Sequence, residues 1–128
     1  MSFQTILAVG CGGFIGAVMR VWLNGFISHR VPHDLPFGTL GVNLVGSFVM
    51  GVLVAYFMYT TLFSVSAKSF LSTGILGALT TYSTFAIESV LLLQGGHITL
   101  ALANMALNTF GTVLMAGSGY WIASSVLK

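Results

Sequence analysis

Four long runs of apolar residues, at 4 to 26, 38 to 59, 69 to 93 and 98 to 125, constrain what this chain of 128 residues can become. Each is long enough, at about 20 residues per crossing, to span the hydrocarbon of a bilayer as a helix. In lipid a lone segment satisfies its backbone polar groups by coiling into a helix, so a chain made of such runs is committed to an all-α membrane fold. The charges agree. Arg20, Arg30, Lys68, Lys128, Asp34 and Glu88 are the only formally charged side chains, and with 56% of residues apolar they are too few to solvate a globular surface. No run of Lys or Arg offers a nucleic-acid patch. The expectation is one domain, residues 1–128, of four transmembrane helices.

The first run has no basic leader and is too long for the apolar core of a signal peptide, so it reads as a mature helix. The connections "SHRVPHDLPFG", "TTLFSVSAK" and "QGGH" are short, and the first holds both prolines. Cys11 is the sole cysteine, which forbids an intrachain disulfide and reads as a small buried residue. His29, His33 and His97 fall in loops without metal-site spacing.

With four crossings, Lys68 and Lys128 share one side of the membrane while Arg20 and Arg30 lie toward the other. Two against two gives no clear orientation under the positive-inside rule. Either copies insert both ways and pair, or partners and weak cues fix a single orientation. Small residues at Gly12 and Gly16, Gly46 and Gly51, and Gly74 and Ala78 allow close backbone approach, between copies or within one.

Residues three or four apart share a helix face. Asn104, Asn108 and Thr112 therefore form a polar stripe on the fourth run, Asn43 and Ser47 another on the second, and Thr81, Thr84 or Phe85, and Glu88 a third. Any one stripe is explained by interhelical hydrogen bonds, at about 0.6 kcal/mol each. Three converging stripes of neutral donors suit a narrow pathway for a small solute better than adhesion alone. Arg20 and Glu88 are the ionisable residues well inside the runs, and each is costly there. Arg20 reads as near the end of its helix; Glu88 is open to a role in a pathway, a pair or a helix end.

The stretch "GALTTYSTF", Gly77 to Phe85, carries hydroxyls on five of nine residues in the middle of the third run. Gly77 with Thr80, Thr81, Ser83 and Thr84 can satisfy backbone groups freed by a break, and unwound carbonyls can face a cation. The edges of Tyr82 and Phe85 carry partial positive charge and can face an anion.

This stretch followed by Glu88, together with "FGTLGVNLVGS" (Phe37 to Ser47) and "GAVMR" (Gly16 to Arg20), closely resembles the Fluc, or CrcB, family of fluoride channels along essentially the whole chain. The resemblance implies a passive fluoride channel in a bacterial inner membrane. It implies an antiparallel, dual-topology homodimer with two pores, each built from both copies. It also implies a third helix broken in mid-membrane and a structural sodium ion at the dimer centre, held here by carbonyls of Gly77 and Thr80. Asn43 would donate to fluoride near a pore mouth, Tyr82 and Phe85 would present ring edges, and Asn108 and Thr112 would continue the track, with Ser83 and Thr84 beside it. Arg20 and Glu88 would stand as vestibule or helix-end charges. Tyr82 departs from the family's usual phenylalanine, and Asn108 from the expected hydroxyl residue.

Two other classes compete. A proton-coupled multidrug-type transporter has four short helices and dual topology, but it would carry an acidic residue in the first helix, where this chain has Arg20. A non-transporting assembly subunit would use its stripes for packing alone. An enzyme is disfavoured, because no nucleophile–base set, metal cluster or phosphate loop is visible.

Overall fold

The computed structural model describes all of residues 1–128, and it is helical apart from its ends, the connections and a short break at Thr80 and Thr81. Four helices are long and apolar enough to cross a membrane: Phe3–Arg30, Phe37–Tyr59, Val65–Gln94 and Ile98–Leu127, here termed the first to fourth spans. The chain is a multi-pass membrane protein.

Each end has a local cause. Ser2 caps the first span by accepting from the Thr5 N–H at 3.2 Å. The helix stops at Val31, where Pro32 disfavours helical geometry in the residue before it. This corrects the expectation for Arg20. Where the apolar run weakens after residue 26 the helix does not end, because Ser28 donates to Asn24 one turn back (3.2 Å) and Arg30 lies over the Phe26 ring (4.8 Å). Arg20 is thus about 15 Å of helix away from the terminus at Arg30. The second span starts directly after Pro36, and Ser64 caps the third. Between the third and fourth spans Gly96 adopts φ 80°, and the N–H groups of Gly96 and His97 return to the carbonyls of Leu93 and Leu92. Glycine accepts that left-handed turn without strain.

Glycines set the packing. The first span approaches the third so closely that a Cβ on Gly12 or Gly16 would collide with the backbone of Phe70, Gly74 or Ile75. The second meets the fourth in the same way, with Gly51 against Ala116 and Tyr120 and Gly119 against Phe48. Of the two uses open to the small residues, these positions serve packing within one chain.

Two stretches, Phe70–Leu76 and Leu107–Gly111, widen to π-type hydrogen bonding. Between Leu79 and Tyr82 the third span is interrupted: Thr80 (φ −79°, ψ 153°) and Thr81 (φ −146°, ψ 111°) are extended. The outer surface is apolar, with Phe14, Val18, Trp22, Phe110, Val113 and Trp121 exposed, while Thr39, Asn43, Thr81, Ser89, Asn104 and Asn108 are buried. That inverted distribution suits a chain whose solvent is lipid.

Candidate functional site

Where the third span is interrupted, its polar backbone groups are received by side chains. The Thr81 N–H donates to Asn43 Oδ1 (2.7 Å), and Asn43 Nδ2 donates back to the Thr81 carbonyl (3.1 Å). One carboxamide thus pairs with both groups of one residue. Thr81 in turn caps the next helical segment, its hydroxyl accepting from the Thr84 N–H at 3.3 Å and donating to the Thr84 hydroxyl at 2.9 Å. Thr80 closes the preceding segment, its N–H and hydroxyl both donating to the Leu76 carbonyl at 3.0 Å.

The polar contacts continue into the fourth span. The second N–H of Asn43 donates to Asn108 Oδ1 (2.9 Å), and Asn108 Nδ2 donates to the carbonyl and to Oδ1 of Asn104, both at 3.0 Å. Asn104 Nδ2 donates to the Ser89 hydroxyl (3.0 Å), which donates to the Phe85 carbonyl (2.9 Å). No buried side-chain nitrogen or oxygen in the chain lacks a partner.

Over this framework lies an open cavity of about 350 Å³, lined by Asn43, Ser47, Thr80, Thr81, Tyr82, Phe85, Asn108, Thr109 and Thr112. Seven of the nine are polar and none carries a charge. The Tyr82 and Phe85 rings stand edge to face, centroids 5.4 Å apart at 80°. They differ in setting, since Phe85 is 7% exposed and Tyr82 81%. The Thr112 hydroxyl donates to the Asn108 carbonyl at 2.5 Å, while the lining hydroxyls of Ser47, Tyr82 and Thr109 have no partner in the chain.

Of the residues singled out in the sequence, Asn43, Tyr82, Phe85, Asn108, Thr112 and Thr80 therefore come together at one cavity. Ser83 and Thr84 lie on the same turn but outside the lining, Ser83 exposed and Thr84 bonded to Thr81. Gly77 lies one turn before the interruption. With the Thr81 N–H turned to Asn43 and the Thr84 N–H to the Thr81 hydroxyl, the carbonyls of Gly77 and Thr80 lose the donors a continuous helix would supply. Glu88 is half-buried away from the cavity and accepts from the Thr39 hydroxyl at 2.5 Å, a pairing between the second and third spans. Arg20 is not in the lining. No three His, Cys, Asp or Glu side chains converge on a metal position.

Sequence reasoning overlooked Thr109 and Ser89. Thr109 follows Asn108 directly within the π-type turn, and both line the cavity. Ser89 is four residues after Phe85 and was accessible to the same spacing rule that found the other stripes.

The family model described as CrcB-like protein, Camphor Resistance (CrcB), matches residues 7–120. A protein of Sulfurimonas denitrificans named fluoride-specific ion channel FluC is 71% identical over 128 residues, covering 100% of this chain and 99% of that one. Proteins of the same name from Nautilia profundicola (43% identical, 100% of each chain) and Campylobacter fetus (45% identical, 95% of each) are also similar. Matched along its four spans and its polar cavity alike, the chain belongs to the CrcB family.

Proposed function

We propose that this chain is a fluoride-selective channel through which cytoplasmic fluoride leaves passively across the inner membrane of a bacterium. The observation that carries the reading is the cavity itself, a strip of seven uncharged polar residues and two aromatic rings open on the side of an otherwise apolar molecule. The name shared by its relatives, fluoride-specific ion channel, supports the choice of anion.

A polar strip left against hydrocarbon is costly, so a second copy covers it. An inverted second copy presents an equal strip, giving an antiparallel homodimer with two pores, each shared by both chains. The even charge count across the two sides is consistent with insertion both ways. The interruption at Thr80 and Thr81 then lies in mid-membrane. The carbonyls of Gly77 and Thr80, deprived of helical donors, fit a sodium ion at the subunit seam. Bound there, sodium supplies a fixed positive charge that draws carbonyl oxygens together.

For the anion, the unpartnered hydroxyls of Ser47, Thr109 and Tyr82 replace water, and the edges of Tyr82 and Phe85 add weak positive potential. Asn43 reaches the anion by yielding its bond to Asn108 Oδ1. Many weak donors without a fixed Lys or Arg let a tightly hydrated ion enter and still leave. Hydrogen fluoride crosses membranes as a neutral molecule and dissociates inside; the channel returns the anion down its own gradient.

The test is efflux from liposomes holding the purified protein, followed with a fluoride electrode and repeated with chloride. Fast fluoride release with little chloride release is expected. Well-folded protein that moves neither ion would remove the channel reading.

A further inference from the structure

The hydrogen bonds around the cavity form a closed circuit that begins and ends on the third span. At one end the peptide of Thr81 fixes Asn43; at the other the carbonyl of Phe85 fixes the Ser89 hydroxyl as a donor, so that this oxygen accepts from Asn104 Nδ2. Asn104 must then turn Oδ1 toward Asn108, and its main-chain carbonyl faces the same way. Facing two acceptors, Asn108 commits both its N–H groups there and presents only Oδ1 to Asn43. Asn43 is left to answer with N–H, which leaves its oxygen to hold the Thr81 N–H.

Asn104 is the joint at which this direction is imposed on the fourth span. It is 0% exposed and does not line the cavity. Resting on the channel reading above, we propose that Asn104, backed by Ser89, is a positioning residue: it sets the orientation of Asn108, through Asn108 holds Asn43 against the extended Thr81, and so fixes which dipoles a small anion meets. It never touches the ion.

The experiment compares wild type with Asn104→Leu, similar in size and unable to hydrogen-bond, as full-length protein in liposomes and in detergent. With two side-chain bonds lost at the scale of membrane-protein hydrogen bonds, chloride release relative to fluoride rises about eightfold. In deuterated buffer, exchange of the Thr81 N–H quickens by a similar factor while the stretch from Gly51 to Ala55, in the far part of the second span and packed on Ala116 and Tyr120, keeps its protection. A merely structural loss would loosen both regions together. Wild-type exchange at Thr81, or an unchanged ion ratio, overturns the proposal. Should the wild type pass no fluoride, the channel reading fails, and exchange at Thr81 alone still decides the positioning role. If Asn104→Leu does not fold, Ser89→Ala, which removes one anchor, carries the same two expectations at about threefold.

Discussion

Phe85 and Tyr82 separate two jobs that the sequence shows only as a pair of rings three residues apart. Phe85 is held among neighbours beside the bond from Ser89 to its carbonyl, whereas Tyr82 stands almost free on the open side. The edge of Phe85 is thus placed by the chain itself. Phe85→Leu keeps most of the volume and removes the edge, so fluoride release from liposomes should slow about fivefold, with thermal unfolding in detergent little changed. Release at the wild-type rate would take Phe85 out of the pathway. At this scale the site was largely legible, because Asn43 with Ser47 and Asn108 with Thr112 obey the spacing of a regular helix. What the sequence did not reveal is that the N–H groups of Asn43 are already committed, since the identity of an amide's partners depends on which spans lie beside it.

At the scale of elements, the four runs could be read from hydrophobicity, but their neighbours could not. Glycine at 12, 16, 51 and 119 permits a close approach without saying to what; the structure gives the first and third spans to each other, and the second to the fourth. A side chain at Gly51 would meet the carbonyl of Ala116 and the N–H of Tyr120, which belong to rigid backbone. Gly51→Val should therefore destabilise the protein by about 1–3 kcal/mol, read as a lower unfolding temperature in detergent, while Gly13→Ala, with open space around it, serves as the neutral control. Equal unfolding temperatures would show that the second and fourth spans part easily. The π-type turns were invisible in the sequence, because they involve no proline and no change in composition. One of them carries both Asn108 and Thr109 of the cavity lining. Arg20 was misplaced for the related reason that hydrophobicity marks where lipid ends, whereas a helix ends at its caps and prolines.

For the whole molecule, the composition settles the solvent, and the proposed second copy would cover the polar strip. If the freed carbonyls of Gly77 and Thr80 hold sodium at a seam between copies, replacing sodium with a bulky organic cation during purification should shift the protein from dimer toward monomer, measured by light scattering after size exclusion. A dimer indifferent to sodium would remove those two carbonyls as ligands. The carboxamide circuit has a consequence for a population of such molecules. Turning over Asn43 or Asn108 alone sets oxygen against oxygen at one joint and nitrogen against nitrogen at the next, and turning over Asn104 sets its nitrogen against that of Asn108. At rest the lining consequently has one favoured pattern rather than a set of near-equal alternatives, and, if the chain conducts as proposed, every copy offers an arriving ion the same sequence of dipoles. Currents recorded from separate molecules should then share one amplitude, with no scatter inherited from the wall.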